Sequence, residues 1–316
     1  MAAQTTIAKG KATSATQARM KVSAGRPLPL GRQLLYQALC IFIALTVLFP
    51  IMWVVSQSFT SPDKPKIRGF LPEYGISLDA YATVLDKPTR NPVTFLELTF
   101  NSLKLSLSTS FFSVFLGVLA AYAFSRFKFP GRGFLFLAIL AVLMLPSVAT
   151  LVPLFTTLNQ FRTGDTGDDF NLRNSLWGVG LAIVSGLLPF AVYNLKGYLD
   201  TIPKDLEEAA SIDGANRNQV FFKVILPLAT PALATTALFG FMGGWTEFYF
   251  SWQFLTNPKD FTLAMALSQM TGQYARTTPW SQFAAFAILV ALPVSIVYLA
   301  LQRYIVSGLT AGGVKS

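Results

Sequence analysis

The sequence predicts an all-α integral membrane protein with six transmembrane helices. Of its 316 residues, 53% are hydrophobic and only 13% are charged, and the mean hydropathy is positive. Soluble domains carry about a quarter charged residues, whereas a spanning helix needs about 20 mostly apolar residues. Six stretches meet that requirement: Leu34–Ser58, Phe100–Phe124, Phe134–Leu158, Leu176–Leu199, Leu228–Leu255 and Phe283–Tyr304.

The first apolar stretch, residues 34–58, is predicted to remain as a membrane helix. It lies behind a polar arm, residues 1–33, is longer than a signal-peptide core, and no small-residue cleavage motif follows it closely. The arm has few large apolar groups and is expected to be disordered. A proline-containing extracytoplasmic loop follows, residues 59–94, then a five-helix core, residues 95–305, and a C-terminal tail, residues 306–316.

The placement of Lys and Arg predicts that both termini are cytoplasmic. Cytoplasmic segments of membrane proteins carry an excess of these residues. With the N-terminus inside, the inner segments hold 15 of the 25 Lys and Arg residues and the outer loops hold 9. The short loop Ser125–Gly133 indicates the orientation most directly, because it contains three cations and no acid.

No chemistry on a substrate is predicted for this chain. It has no His and a single cysteine, Cys40, so His-based catalysis, His metal sites and an internal disulfide are excluded. No GxxxxGK[ST] sequence occurs, so no nucleotide is bound through a P-loop. The basic residues flank apolar segments, so the net charge of +10 indicates membrane contact rather than nucleic-acid binding. We expect no catalytic residue, no cofactor and no metal.

A polar segment, residues 203–227, interrupts the apolar pattern and is predicted to form two short helices at the cytoplasmic surface. Pro203 suits a first helical position with acids behind it, and Gly214 suits a left-handed residue that ends the helix. Asn216 offers an N-cap, and Gln219 completes a capping-box pattern. The apolar residues of the second helix share one face: Phe221, Val224 and Ile225. Periodicity alone leaves open whether the pair docks on a partner or only turns the chain.

The same segment resembles the EAA signature of ABC importer permeases, which reads E-A-A, three residues, G, nine residues, I, one residue, L-P. The matching residues are Glu208, Ala209, Ala210, Gly214, Leu226 and Pro227, and Val224 stands where the pattern prefers Ile. The resemblance covers roughly residues 95–305, the five-helix core of the binding-protein-dependent type I family. The N-terminal helix would be an addition to that core.

This resemblance implies that the helix pair fits a cleft on a cytoplasmic ATP-binding subunit and transmits its closure to the spans. The coupling residues would be Glu208, Ala209, Ala210, Asp213, Gly214, Phe221, Leu226 and Pro227. Phe221 or Phe222 would be an aromatic anchor in the partner's pocket. The implied partners are a second permease subunit, an ATP-binding subunit dimer, an extracytoplasmic solute-binding protein and the lipid of a bacterial inner membrane.

Three further stretches resemble the carbohydrate, MalG-like subgroup of this family. They are AAYAFSRFKFPG at Ala120–Gly131, LKGYLDTI at Leu195–Ile202, and the glycine-containing C-terminus. The subgroup implies import of a sugar, with maltose or maltodextrin preferred, and ATPase contacts by the tail residues Gly308, Gly312 and Gly313. It also implies that the outer loop Thr256–Ser281 reaches the binding protein. Another sugar or glycerol phosphate is the alternative solute.

Glu247 is an ionisable residue inside the predicted fifth span, and such residues usually face the protein interior or a water path. Substrate binding, pairing across a permease dimer and an interfacial position all remain open for it. An ion-coupled secondary transporter using Glu247 is a rival class. Asp168 and Asp169 would suit a membrane transferase only with a second acidic cluster, which the sequence lacks. Close packing of the fifth span is indicated by a GxxxG pattern, Gly240 and Gly244.

Overall fold

A computed structural model of the chain describes residues 29–61, 75–164, 170–271 and 278–312. Across these ranges the structure is helical, and the only β-type pairing is an isolated bridge between Arg162 and Asn171. The all-α prediction is confirmed. The predicted arm up to residue 28, the acidic pair Asp168–Asp169 and the tail residue Gly313 lie outside the described residues.

Twelve helices and one short 3-10 turn, Pro258–Asp260, make up the described secondary structure. The helices are α1 (Leu30–Ser58), α2 (Asp79–Asp86), α3 (Phe95–Arg126), α4 (Arg132–Val142), α5 (Ser147–Gln160), α6 (Leu176–Leu199), α7 (Asp205–Ile212), α8 (Arg217–Leu228), α9 (Thr230–Trp245), α10 (Tyr249–Phe254), α11 (Leu263–Gln269) and α12 (Trp280–Gly312). The chain divides into two units, Met1–Trp53 and Val54–Ser316.

Four of the described helices, α1, α3, α6 and α12, are long and apolar enough to cross a membrane. Two bent pairs also qualify, so the number of spans reaches six if each pair is one span. Each of the six predicted spans falls on one of these helices or pairs. In the first unit, nearly all side chains of α1 are exposed, as in a helix that needs apolar surroundings on every side.

The third and the fifth predicted span are each bent. Helices α4 and α5 meet at 100°. Pro146 directly precedes α5. Proline has no backbone N–H to donate within a helix, and its ring disfavours a helical conformation in the residue before it. Helix α8 meets the following segment at 75°, where Ala229 separates two prolines, Pro227 and Pro231. The predicted fifth span is interrupted again between Trp245 and Tyr249.

Helix α9 lies very close to α3 because small residues line the contact. A Cβ atom on Gly240 would lie 2.7 Å from Cα of Ser110, and one on Gly244 would lie 2.6 Å from Cα of Ser106. Thr109 Oγ1 donates a hydrogen bond to the carbonyl of Gly240 at 2.9 Å. The prediction of close packing at the GxxxG pattern is confirmed.

Candidate functional site

The polar segment forms the predicted helix pair, α7 and α8, with Gly214 at the bend. The φ angle of Gly214 is +89°, so the left-handed conformation predicted for it is confirmed. The amide of Ala215 donates to the carbonyl of Ala210 at 3.0 Å, and the amide of Gly214 donates to Ser211 at 3.1 Å. These two bonds form a Schellman motif, which closes α7 and satisfies its last carbonyls.

Helix α8 begins at the predicted capping box. The side-chain oxygen of Asn216 accepts from the amide of Gln219 at 2.9 Å, and the Gln219 side chain accepts from the amide of Asn216 at 2.8 Å. The helix then widens into a π turn, Phe221–Ile225, which was not predicted. In a regular α-helix the ring of Pro227 would clash with the carbonyl of Lys223, and the wider turn relieves that contact.

Phe221 is buried inside the chain, so it is not available as an aromatic anchor for a partner. Its side chain is 8% exposed, and its ring centroid lies 4.8 Å from that of Tyr122 on α3. The adjacent Phe222, the other aromatic residue considered for this role, is 63% exposed. Phe221 therefore packs the helix pair against α3, whereas the side chain of Phe222 is exposed.

The face predicted to be exposed and apolar is packed against the chain's own core. Ile225 is fully buried in a cluster that α3, α6, α8 and α9 share: Val118, Ala121, Leu195, Leu199, Ile202, Val220, Phe221, Ile225, Ala229 and Ala232. The outward large apolar side chains are instead Leu206, Ile212 and Phe222, with Leu228 at the end of α8. Beside them, five of the predicted coupling residues are exposed: Glu208, Ala209, Asp213, Gly214 and Pro227. Of the other three, Ala210 and Leu226 are half-buried and Phe221 is buried.

An ion pair between Arg126 and Glu207 connects the base of α7 to the end of α3. The Arg126 side chain is 7% exposed, and it also donates to the carbonyl of Ile202 at 3.0 Å. Neither residue was predicted to act in the site. The available signals were the position of Glu207, directly before the EAA residues, and the position of Arg126 within AAYAFSRFKFPG.

A second set of polar contacts continues from this ion pair to α6. Arg126 donates to Oγ of Ser125 at 3.0 Å, and that hydroxyl donates to the carboxylate of Asp200 at 2.6 Å. Lys196 donates to the other oxygen of Asp200 at 2.6 Å. Partial burial alone would raise the pKa of Asp200, but the hydrogen bonds from Lys196 and Ser125 outweigh it, so the pKa is lowered. The ends of α3, α6 and α7 are thus joined by side-chain contacts.

Glu247 lies in the interruption between α9 and α10, rather than within a continuous span. Its Oε1 accepts hydrogen bonds from the amides of Phe250 at 2.5 Å and Ser251 at 3.4 Å. The carboxylate therefore occupies the N-terminal end of α10, where a negative charge is favoured. This contact stabilises the break, and a role for Glu247 in a solute path remains a prediction.

The C-terminal tail was predicted to begin at residue 306, but α12 continues as a helix to Gly312. Gly308 and Gly312 both lie on this helical extension. Their predicted contact with an ATP-binding subunit remains untested.

The all-α membrane fold, with its bent apolar segments and a polar helix pair fixed to α3, agrees with the predicted class, a transporter permease subunit. The chain belongs to the family of binding-protein-dependent transport system inner membrane components, whose model matches residues 113–311. That match covers the buried cluster, the ion pair and the whole EAA segment. The predicted family is confirmed.

Known relatives cover nearly the whole chain. The galactooligosaccharides transport system permease protein GanQ of Bacillus subtilis (strain 168) is 34% identical over 284 residues, which are 90% of this chain and 96% of the relative. The trehalose/maltose transport system permease protein MalG of Thermococcus litoralis is 33% identical over 275 residues, 87% of this chain and 94% of the relative.

The fold also matches a solved structure. A crystal structure of a bacterial ABC transporter involved in the import of the acidic polysaccharide alginate contains a chain with a TM-score of 0.70 and 24% identity. The match covers 86% of this chain and 95% of the other. The predicted permease fold, multi-pass and membrane-embedded, is confirmed by this likeness and by the family match.

Proposed function

We propose that this chain is the permease subunit of an ATP-driven importer of a sugar, with maltose or maltodextrin as the preferred solute. The observation that carries the proposal is the helix pair α7–α8, which exposes its EAA residues and is fixed at its base to α3. The sugar assignment is supported by the relatives, whose names specify galactooligosaccharides, trehalose and maltose.

The helix pair is built to transmit force to the spans as a rigid unit. Leu206, Ile212 and Phe222 offer an apolar surface to a partner, and aromatic side chains on such surfaces are frequent anchors. A displacement of this surface would be carried by the Arg126–Glu207 ion pair to α3 and by the buried π turn to α9. Packed side chains resist deformation, so the pair would move the spans instead of bending.

ATP hydrolysis is assigned to a separate ATP-binding subunit dimer, because the chain contains no P-loop sequence. A second permease subunit would complete the path, and an extracytoplasmic binding protein would deliver the solute. The outer loop Thr256–Ser281 is proposed to contact the binding protein, although its residues 272–277 lie outside the described part of the chain. Both termini and the helix pair would then be cytoplasmic, in a bacterial inner membrane.

The test is reconstitution of the complete transporter in liposomes with its binding protein. Loaded binding protein should stimulate ATP hydrolysis, and maltose should accumulate inside. Stimulation by a different sugar or by glycerol phosphate would replace the preferred solute while keeping the permease role. Uptake that continues without ATP and is abolished by an uncoupler would instead support the secondary transporter that uses Glu247.

A further inference from the structure

A cavity of about 340 Å³ opens beside α3, far from the helix pair. Its walls are the N-terminal half of α3, the start of α6 and the 3-10 turn that precedes α11. The polar side chains in these walls are Lys104, Ser108, Ser175, Trp177 and Asp260. Its volume lies within the range of about 300–1,000 Å³ that is usual for small-molecule sites, which are apolar clefts with a few placed polar groups.

Three polar groups in the cavity walls form no side-chain hydrogen bond or ion pair with the described residues. Neither the ammonium of Lys104, nor the carboxylate of Asp260, nor the indole N–H of Trp177 forms a hydrogen bond or ion pair with another residue in the described part of the chain. Partial burial raises the pKa of Asp260, and the positive charge of Lys104 opposes this effect. The carboxylate is thus partly withdrawn from water and has no hydrogen-bond or ion-pair partner among the residues that the structure describes.

The backbone around Asp260 is held firmly in place. Asn101, which is almost fully buried on α3, donates from Nδ2 to the carbonyl of Lys259 at 2.7 Å and to that of Phe261 at 3.0 Å. These bonds flank Asp260 on both sides. Ser175 likewise fixes the start of α6, because its Oγ accepts from the amide of Gly178 at 3.2 Å. The opposing walls are therefore preorganised, which reduces the cost of binding.

Lys104 also restricts what can lie against this face. It belongs to the predicted second span and is exposed on the isolated chain. An ionisable residue in a span faces a protein interior or water rather than lipid. The cavity continues along α3 and α6 into an apolar groove, since Ser108 and Trp177 border both, with Phe112 and Leu181 farther along.

We propose that this cavity is a binding site for an uncharged, hydroxylated carbohydrate unit on its way through the membrane. The indole of Trp177 would pack against a sugar ring, Asp260 would accept hydrogen bonds from hydroxyls, and Lys104 would donate to hydroxyl or ring oxygens. The inference rests on the proposed import of sugar and gives this chain its own solute contacts. An opposing explanation is that Trp177 and Lys104 merely anchor the chain at the membrane interface, where both residue types are common.

The first experiment measures sugar uptake by the reconstituted transporter for two cavity variants, Trp177→Leu and Asp260→Asn. Asp260→Asn removes the charge that strengthens the hydrogen bonds to sugar hydroxyls, and Trp177→Leu removes the ring that packs on the sugar. Each variant should lower uptake at saturating binding protein about tenfold. Stimulation of ATP hydrolysis by loaded binding protein should persist in Trp177→Leu, because the helix pair and the loop Thr256–Ser281 are both untouched. In Asp260→Asn, which lies in that loop, persistent stimulation would separate loss of the cavity contact from loss of the binding-protein contact. The matched controls are Trp53→Leu, at an exposed tryptophan of α1, and Asp86→Asn, at an exposed aspartate ending α2. Their uptake should stay within about twofold of wild type.

The second experiment tests access and occupancy directly. A cysteine at Ser108, in a Cys40→Ala background of the complete transporter, should react with a charged thiol reagent, and maltose should slow that reaction. Failure to react, or a rate that maltose does not change, would overturn the site. Cavity variants that transport like their controls would also overturn it while the sugar permease role stands. A wild-type transporter that imports no sugar would overturn the proposed function and this inference together.

Discussion

Gly214 shows how one backbone angle sets the relative direction of two helices, α7 and α8. Its φ of +89° lies in a region that residues with a branched Cβ avoid, and a Cβ placed there would meet no atom within 4 Å. The cost of substitution at this position is therefore conformational rather than steric. A substituted residue could escape this conformational cost only if α7 and α8 changed their relative direction.

Gly214→Val should uncouple the transporter while leaving the spans intact. A left-handed conformation costs a residue with a Cβ roughly 1–2 kcal/mol, and Val is among the least tolerant. The variant should be present in membranes at a normal amount, with uptake lost and little ATP-binding subunit co-purifying. Gly214→Asn should be mild because Asn tolerates this region. Gly133→Val, at a helical glycine with open space around it, is the control. Normal co-purification with the Gly214→Val chain would contradict the coupling role.

Phe221→Ala and Phe222→Ala should separate stability from partner binding. The first removes a buried ring and should lower the free energy of unfolding by about 3–5 kcal/mol. The second removes an exposed ring and should change stability by less than about 0.5 kcal/mol, yet release the ATP-binding subunit. Thermal denaturation in detergent and co-purification are the two measurements. Tight ATPase binding by the Phe222→Ala chain would remove Phe222 as the anchor.

Local features of the site could be predicted from the sequence, and long-range ones could not. The Gly214 bend and the Asn216–Gln219 capping box depend on residues three or four apart, so their pattern is visible in the printed chain. The burial of Phe221 depends on Tyr122, which is 99 positions earlier in the sequence. The pairing of Arg126 with Glu207 could not be predicted for the same reason, because the two residues are also far apart in the sequence.

At the scale of elements, the attachment of α7 to α3 depends on a nearly buried ion pair. The side chains of Arg126 and Glu207 are 7% and 16% exposed, so either charge would be poorly solvated without the other. Removal of one partner from such a pair costs about 3–5 kcal/mol, whereas replacement of both by apolar residues is often tolerated.

Glu207→Gln should therefore detach the helix pair from the spans. We expect ATP hydrolysis that no longer drives uptake, measured in the reconstituted transporter as the ratio of sugar imported to ATP consumed. The double variant Arg126→Met with Glu207→Leu should recover part of the stability lost in the single variant. Glu208→Gln, one residue away and exposed, controls for loss of an acid in α7. Full coupling in Glu207→Gln would show that the ion pair is dispensable.

The six apolar stretches were predictable because hydrophobic length is a local property. The bends in the third and fifth spans could not be predicted from hydropathy, because an average over a window carries no information on the direction of the backbone. Pro146 in the third stretch was a visible signal for a break, whereas the break at Glu247 has no proline and is held by a side-chain cap. Lys104 was counted as part of an apolar span, and only the structure places it beside Asp260.

At the scale of the whole molecule, the orientation in the membrane can be tested by labelling single cysteines. In a Cys40→Ala background, a cysteine at Ser61 should react with an impermeant thiol reagent in intact cells. One at Asn216 should react only after the membrane is opened. One reagent thereby compares a position predicted outside the membrane with one predicted inside. Lysed cells provide the control for reactivity. Labelling of Asn216 from outside would reverse the topology and exclude contact with a cytoplasmic ATPase.

The corner between α4 and α5 has a consequence for how this protein must be produced. Helix α4 has 11 residues, about 16 Å, so the corner falls near half of a bilayer's hydrocarbon thickness. Leu143, Met144 and Leu145 are all exposed there, although their amides donate to the carbonyls of Leu140, Ala141 and Val142. Irregular backbone at that depth is tolerated only where protein or water covers it. The proposed second permease subunit would supply that cover. The cellular lifetime of this chain should follow the stoichiometry of synthesis, with any excess removed as an orphan.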